Sequence, residues 1–212
     1  MTMSRTVFLR RPPRGVRLWS KLNLGALLML GIVETTTAAT TGLIDDFTRS
    51  DGLSALGTPW RAVTDQVMGG RSQASISRET QEGRPALCLN GDVRLENNGG
   101  FVQAILELPP SDDRVEGFDA SGYAGIQLWV RGNGELYNLH LKSTTTRLPW
   151  QSYRASFVAE PEWREVRLPF SAFEPHRLVQ RLDPRRLTKL GVLGIGRAYQ
   201  AQVCIAEVRF YR

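Results

Sequence analysis

Short apolar or alternating runs recur along this chain between Gly, Pro, Asn and Asp, and none keeps helical periodicity for a dozen residues. The runs cover residues 43–47, 60–64, 73–78, 86–89, 101–108, 125–130, 136–142, 153–158, 165–168, 190–195 and 203–211. Ile126, Leu128 and Val130 fall on one strand face, and Tyr137, Leu139 and Leu141 fall on another. Between those two runs, Gly132-Asn133-Gly134-Glu135 predicts a β-hairpin, because a tight turn between twisted strands needs residues that accept positive φ. Residues 171–173 and 184–187 suit single turns of helix, and the polar stretch 111–117 after Pro109-Pro110 reads as a solvated connection. Many short, evenly spaced strands predict an all-β jelly-roll β-sandwich, with no repeat and no second domain.

Two segments carry more than strand pattern. Trp60, Asp65, Met68, Gly69, Gly70 and Ser72 are compressed into one turn-like stretch, and Asn97-Asn98-Gly99-Gly100-Phe101 opens a later strand. Paired glycines allow positive φ or close backbone approach at an entropic cost. Asp65 is read as an anchor whose carboxylate accepts turn N–H groups, with presentation to a partner as the sharper alternative. Met68 is read as a residue that fills a gap in the core. Trp60, Asp65, Met68, Gly69, Gly70, Ser72, Asn98, Gly99, Gly100 and Phe101 form the candidate binding surface.

Catalytic chemistry finds no foothold. His140 and His176 are the only histidines, and the chain contains no Gly-x-Ser-x-Gly elbow, no His-Glu-x-x-His pair and no phosphate-binding glycine loop before a helix. His140 sits on the opposite strand face from Leu139 and Leu141. It is read as a partly exposed sheet histidine, with ligand contact as the alternative if that face is concave. Asp45, Asp46 and Glu207 would meet if the terminal strands pair, but they supply too few oxygens for calcium. Trp129, Tyr137, Trp150 and Tyr153 make a sugar-stacking platform if exposed and a core if buried. No catalytic residue, metal or cofactor is expected.

The first 39 residues change the charge picture. Arg5, Arg10, Arg11, Arg14, Arg17 and Lys21 precede the apolar run 22–33, and Thr37-Ala38-Ala39 offers a cleavage site, so residues 1–39 read as a signal peptide. The run is short for a membrane span, which needs about twenty residues. An organelle presequence is the weaker alternative. Of 27 basic and 21 acidic residues, the leader holds the six cations just named and Glu34. The rest, 40–212, is nearly neutral, so the high pI is no argument for nucleic-acid binding. Export to the periplasm or medium would place Cys88 and Cys204, the only cysteines, in an oxidising compartment. A disulfide and two buried thiols both remain open, and no zinc site is formed.

In order along the chain, Trp60…Asp65-Gln66-Val67-Met68-Gly69-Gly70-x-Ser72, Gly99-Gly100-Phe101, the strand 125–134, Tyr137-x-Leu139-x-Leu141-Lys142, Tyr153-x-Ala155-Ser156-Phe157 and Trp163…Pro169-Phe170-Ser171-x-Phe173 resemble the complex I intermediate-associated protein domain family. The resemblance implies a galactose-binding-like β-sandwich that acts by binding. Its mitochondrial member is a chaperone-like factor holding membrane-arm intermediates of NADH:ubiquinone oxidoreductase. Here it implies a non-enzymatic assembly-factor domain whose partners are membrane protein complex subunits or assembly intermediates. The alternative is a secreted carbohydrate-binding module using Trp129, Tyr137 and Trp150. An exported domain stands across the membrane from the soluble arm of complex I, so fold transfers with the resemblance and client identity does not.

Overall fold

Strand β5 (Phe101–Glu107) shows how the pattern becomes structure: Val102, Ala104 and Leu106 are buried while Phe101, Gln103, Ile105 and Glu107 are half-buried on the opposite face. The computed structural model describes residues 42–212 apart from 113 and 115. The expected leader, 1–39, lies outside the described residues. The remaining strands are β1 (Leu43–Asp45), β2 (Trp60–Thr64), β3 (Gln73–Gln81), β4 (Arg84–Val93), β6 (Gly125–Gly132), β7 (Glu135–Ser143), β8 (Ser152–Ala159), β9 (Arg164–Pro169), β10 (Glu174–His176), β11 (Leu187–Ile195) and β12 (Tyr199–Tyr211). They form two antiparallel sheets, the all-β jelly-roll sandwich expected from the strand spacing. The first runs β3-β4-β12-β6-β9 with β1 also on β12, and the second runs β10-β8-β7-β11-β5-β2. The long β12 takes β4 along its first half and β1 near its end.

The core lies between the sheets. Leu128, Val130, Val208 and Phe210 from the first meet Tyr137, Leu139, Leu141 and Leu190 from the second, all at 2% exposure or less. Tyr137 and Tyr153 therefore belong to the core. The Tyr137 hydroxyl donates to Asn133 Oδ1 at 2.7 Å and accepts from the Gln202 N–H at 2.8 Å, so a buried phenol is satisfied by the β6–β7 turn and by the first sheet.

Three sequence expectations change. The 132–135 segment is not a hairpin: β6 lies in the first sheet and β7 in the second, so this tight turn carries the chain across the core. Gly134 has the positive φ of +77°, but its N–H bonds to Ala159 O on β8. Both flanking strands bury one apolar face toward the same interior, which pattern alone reads equally as adjacent pairing. Strand β10 has no counterpart among the expected runs, because Glu-Pro-His lacks alternation and is held by its pairing with β8. Cys88 and Cys204, open between disulfide and thiols, form a disulfide between directly opposed residues of β4 and β12. The helical turns at Phe170–Ala172 and Pro184–Arg186 lie where expected, and Ser111, Asp112, Arg114 and Glu116 are exposed.

Because the bridge joins residues 116 apart in sequence, it restrains the unfolded chain strongly. Reduction, or Cys88→Ser with Cys204→Ser, is expected to leave the fold intact and lower stability by about 4 kcal/mol in urea titrations.

Candidate functional site

Both glycine-rich segments cross between the sheets. The chain leaves edge strand β2 of the second sheet through a 310 turn, Asp65–Met68, and enters edge strand β3 of the first. It returns from β4 to β5 through the turn Glu96–Asn98. Thr64 Oγ1 caps the first turn at Gln66 N–H, and Gly69, with φ 87°, closes it in the left-handed conformation that glycine adopts without strain.

A single buried carboxylate fastens the two crossings. Asp65 Oδ1 accepts from the Ser72 N–H at 2.9 Å, and Oδ2 accepts from the Gly100 N–H at 2.5 Å, the Phe101 N–H at 3.2 Å and the Ser72 hydroxyl. Ser72 Oγ in turn accepts from the Arg94 N–H at 2.9 Å. Asn97 Nδ2 donates to Gly69 O, and Gln66 Nε2 donates to Ser72 O. The glycines are steric requirements: a Cβ on Gly70 would collide with Asp65 Oδ1, and one on Gly99 would lie 2.6 Å from Oδ2. Burial pushes the Asp65 carboxyl up, but the hydrogen bonds from Gly100, Ser72 and Phe101 outweigh it and hold the group below the usual aspartate range.

The site residues divide into a buried frame and an exposed rim. Trp60, Asp65, Ser72 and Gly100 are buried, Phe101, Gly70 and Gly99 are half-buried, and Met68 and Gly69 are exposed. Asn98 contributes backbone to the second turn, and its side chain lies outside the described residues. Trp60 stands apart from the corner, at the other end of β2 opposite Leu106, and donates its indole N–H to Asp45 Oδ2 at 2.9 Å. The core role expected for Met68 is corrected, since its side chain is 51% exposed. Asp65 occupies the interior of the turn, so no gap remains there for Met68 to fill. Val67, 72% exposed, and Leu95, 50% exposed, join it on the two crossing turns. Neither was singled out by sequence, although an aliphatic residue inside a polar turn too short to be a strand is the one available signal.

Other candidates separate. The terminal strands do pair, Leu43 opposite Arg209 and Asp45 opposite Val208, but the acids are committed elsewhere. Asp45 accepts from Phe47 N–H, Trp60 and Arg78, Asp46 caps Thr48, and Glu207 pairs with Arg209. His140 is not partly exposed as expected: it is buried, and burial first, then Arg154, His176 and Lys142, push its pKa down to about 3. The aromatic platform does not assemble. Tyr137 and Tyr153 are in the core, half-buried Trp129 lies on the first sheet under the Arg84 guanidinium, and exposed Trp150 sits in the loop after β7.

The family described as Complex I intermediate-associated protein 30 (CIA30) matches residues 46–202. The Mus musculus protein named Complex I intermediate-associated protein 30, mitochondrial, is 26% identical over 128 residues, which cover 54% of this chain and 38% of that protein. The chain thus spans well under half the length of that relative. The family 11 carbohydrate-binding module of cellulosomal cellulase Lic26A-Cel5E of Clostridium thermocellum has a similar structure, with a TM-score of 0.63, 13% identity, and coverage of 81% of this chain and 94% of that one. The same organism's family 11 module in complex with a β-1,3-1,4-mixed-linked tetrasaccharide gives 0.62 at 13% identity, covering 80% and 94%. At such identities the likeness establishes the galactose-binding-like sandwich and nothing about ligand.

Asp65→Asn turns an amide N–H toward backbone donors and is expected to cost about 3 kcal/mol in denaturant unfolding. Gly70→Ala and Gly99→Ala should each cost about 2 kcal/mol by overpacking the same carboxylate. Asp65 titrates lower in the folded than in the unfolded chain. Its contribution is therefore complete at neutral pH, begins to fall near the unfolded value of about 3.9, and is lost as pH drops through the folded pKa. The acid limb of the stability profile should flatten in Asp65→Asn.

Proposed function

The chain belongs to the complex I intermediate-associated protein 30 family, and on that footing we propose a non-catalytic binding domain that assists assembly or stability of a membrane protein complex. The observation that carries this reading is the exposure of Val67, Met68 and Leu95 on turns whose backbones are fastened together by Asp65. Apolar side chains on a fixed, hydrogen-bonded corner cost little further ordering when a partner covers them, which suits a factor that holds an incomplete subunit. Residues of the shared motif, Asp65, Gly69, Gly70, Ser72, Gly99 and Gly100, build the support and present their neighbours. The aromatic sugar platform has no such support, because its rings lie in the core, on the other sheet and in a loop.

The domain acts after export, in the periplasm or outside the cell. The Cys88–Cys204 bridge supports this compartment, because reducing cytosol disfavours such bonds. The client is accordingly a subunit with a surface on that side of the membrane. N-terminal sequencing of the mature protein is expected to begin after Ala39, and retention of the first 39 residues would overturn the export assignment.

Val67→Glu combined with Met68→Glu is expected to abolish recovery of membrane-complex subunits by the tagged chain from detergent-solubilised membranes, with an unchanged melting temperature. Equal recovery by both forms, or no membrane subunit with the unsubstituted chain, would sink the assembly reading.

A further inference from the structure

The outward face of the second sheet carries an arrangement that the corner does not use. Its strand registers stack side chains in ladders. One rung places Glu174 on β10 opposite Arg154 on β8, then His140 on β7, Gly191 on β11 and Ile105 on β5. A neighbouring rung sets Lys142 directly opposite Lys189, which is itself opposite Glu107. On the other side Ser156 lies opposite Asn138. The three rungs lie side by side on one surface, and from β10 to β5 that surface is about 19 Å wide.

Charge on this face is unbalanced in a way that folding alone does not require. Like charges on directly opposed strand positions are destabilising. Glu107 neutralises Lys189 at 2.7 Å and also takes Arg61, leaving nothing for Lys142, whose Nζ donates to Pro149 O. Among the described residues Arg154 donates only to Ser152 Oγ, and Glu174, although opposite it, makes no ion pair. Burial first, and then neighbouring cations, push the pKa of His140, Lys142, Arg154 and His176 down.

Neutral polar groups beside the cations are also left unsatisfied. His140 is only 7% exposed, and its Nε2 has no hydrogen-bond partner. The Gln103 amide fills the space over neighbouring Gly191, where a Cβ would collide with its nitrogen. That amide makes no hydrogen bond within the described residues. Asn138 Oδ1 accepts from Ser156 Oγ at 3.1 Å, which leaves the Asn138 NH2 free to donate. A buried imidazole nitrogen without a partner is costly unless a ligand or solvent completes it.

We propose that this face is a binding site for an acidic oligosaccharide, with a uronate carboxylate held by Arg154 and Lys142 and hydroxyls held by Asn138, Gln103 and His140. The cations supply charge-assisted hydrogen bonds to a carboxylate. The amides and imidazole beside them both donate and accept, as ring hydroxyls require. An acidic peptide would use the cations and leave those groups idle. The site is separate from the Val67-Met68-Leu95 corner, so loss of either binding activity leaves the other assignable.

The test is calorimetric titration of the intact chain with an oligogalacturonate, a neutral cello-oligosaccharide and poly-L-glutamate at low and high salt. Oligogalacturonate binding that weakens with salt is expected, reduced about tenfold by Arg154→Met or Lys142→Met and by Asn138→Ala, with unchanged melting temperatures. Absence of oligogalacturonate binding, or binding indifferent to all three substitutions, overturns the proposal. Equal affinity for poly-L-glutamate overturns its saccharide part. If a variant fails to fold, the His140 ring signals of the unsubstituted chain decide: they shift on saturation if the site is real and stay fixed if it is not.

Discussion

Everything at one end of the sandwich depends on the Asp65 carboxylate. Two successive crossings between the sheets, β2 to β3 and β4 to β5, pass close enough for one side chain to bond the backbone of both. Removing a carboxylate from water is costly, and this one is compensated by three N–H groups and a hydroxyl. That compensation demands close backbone approach, which is why Gly70 and Gly99 have no room for a Cβ. A short motif of acid, glycines and serine is thus one interaction seen from several positions along the chain.

The same fastening separates the roles of neighbouring residues. Groups that serve the carboxylate turn inward or lie in the backbone, and the residues between them are turned out. Met68 and Val67 are exposed because the acid holds the interior of their turn. The corner lies within the stretch that matches the family, and its acid, glycines and serine build the support for the exposed apolar rim. At the other end of β2, Trp60 bonds buried Asp45 and ties that strand to the first.

The two sheets offer unlike outer surfaces. The first is crossed by the Cys88–Cys204 bridge and covered by ion pairs and cation-aromatic contacts such as Arg84 over Trp129. The second gathers cations with too few acids around a buried imidazole whose Nε2 lacks a partner.

Strand alternation determined the all-β class and most of the strands, because period-two burial is written locally, whereas the helical turns at Asp65–Met68 and Glu96–Asn98 were not legible. The resemblance in motif residues determined the family, and the glycine pairs marked the corner correctly. Whether Gly132–Glu135 closed a hairpin or crossed the core was decided only in three dimensions, since both outcomes bury the same alternate residues. The exposure of Met68 was likewise decided by its competition with Asp65 for one interior position. Burial of His140 came from the strands on either side of it, and the Cys88–Cys204 pairing from the register of β4 against β12. Local chemistry sets which face a residue prefers, and only long-range pairing sets what that face will meet.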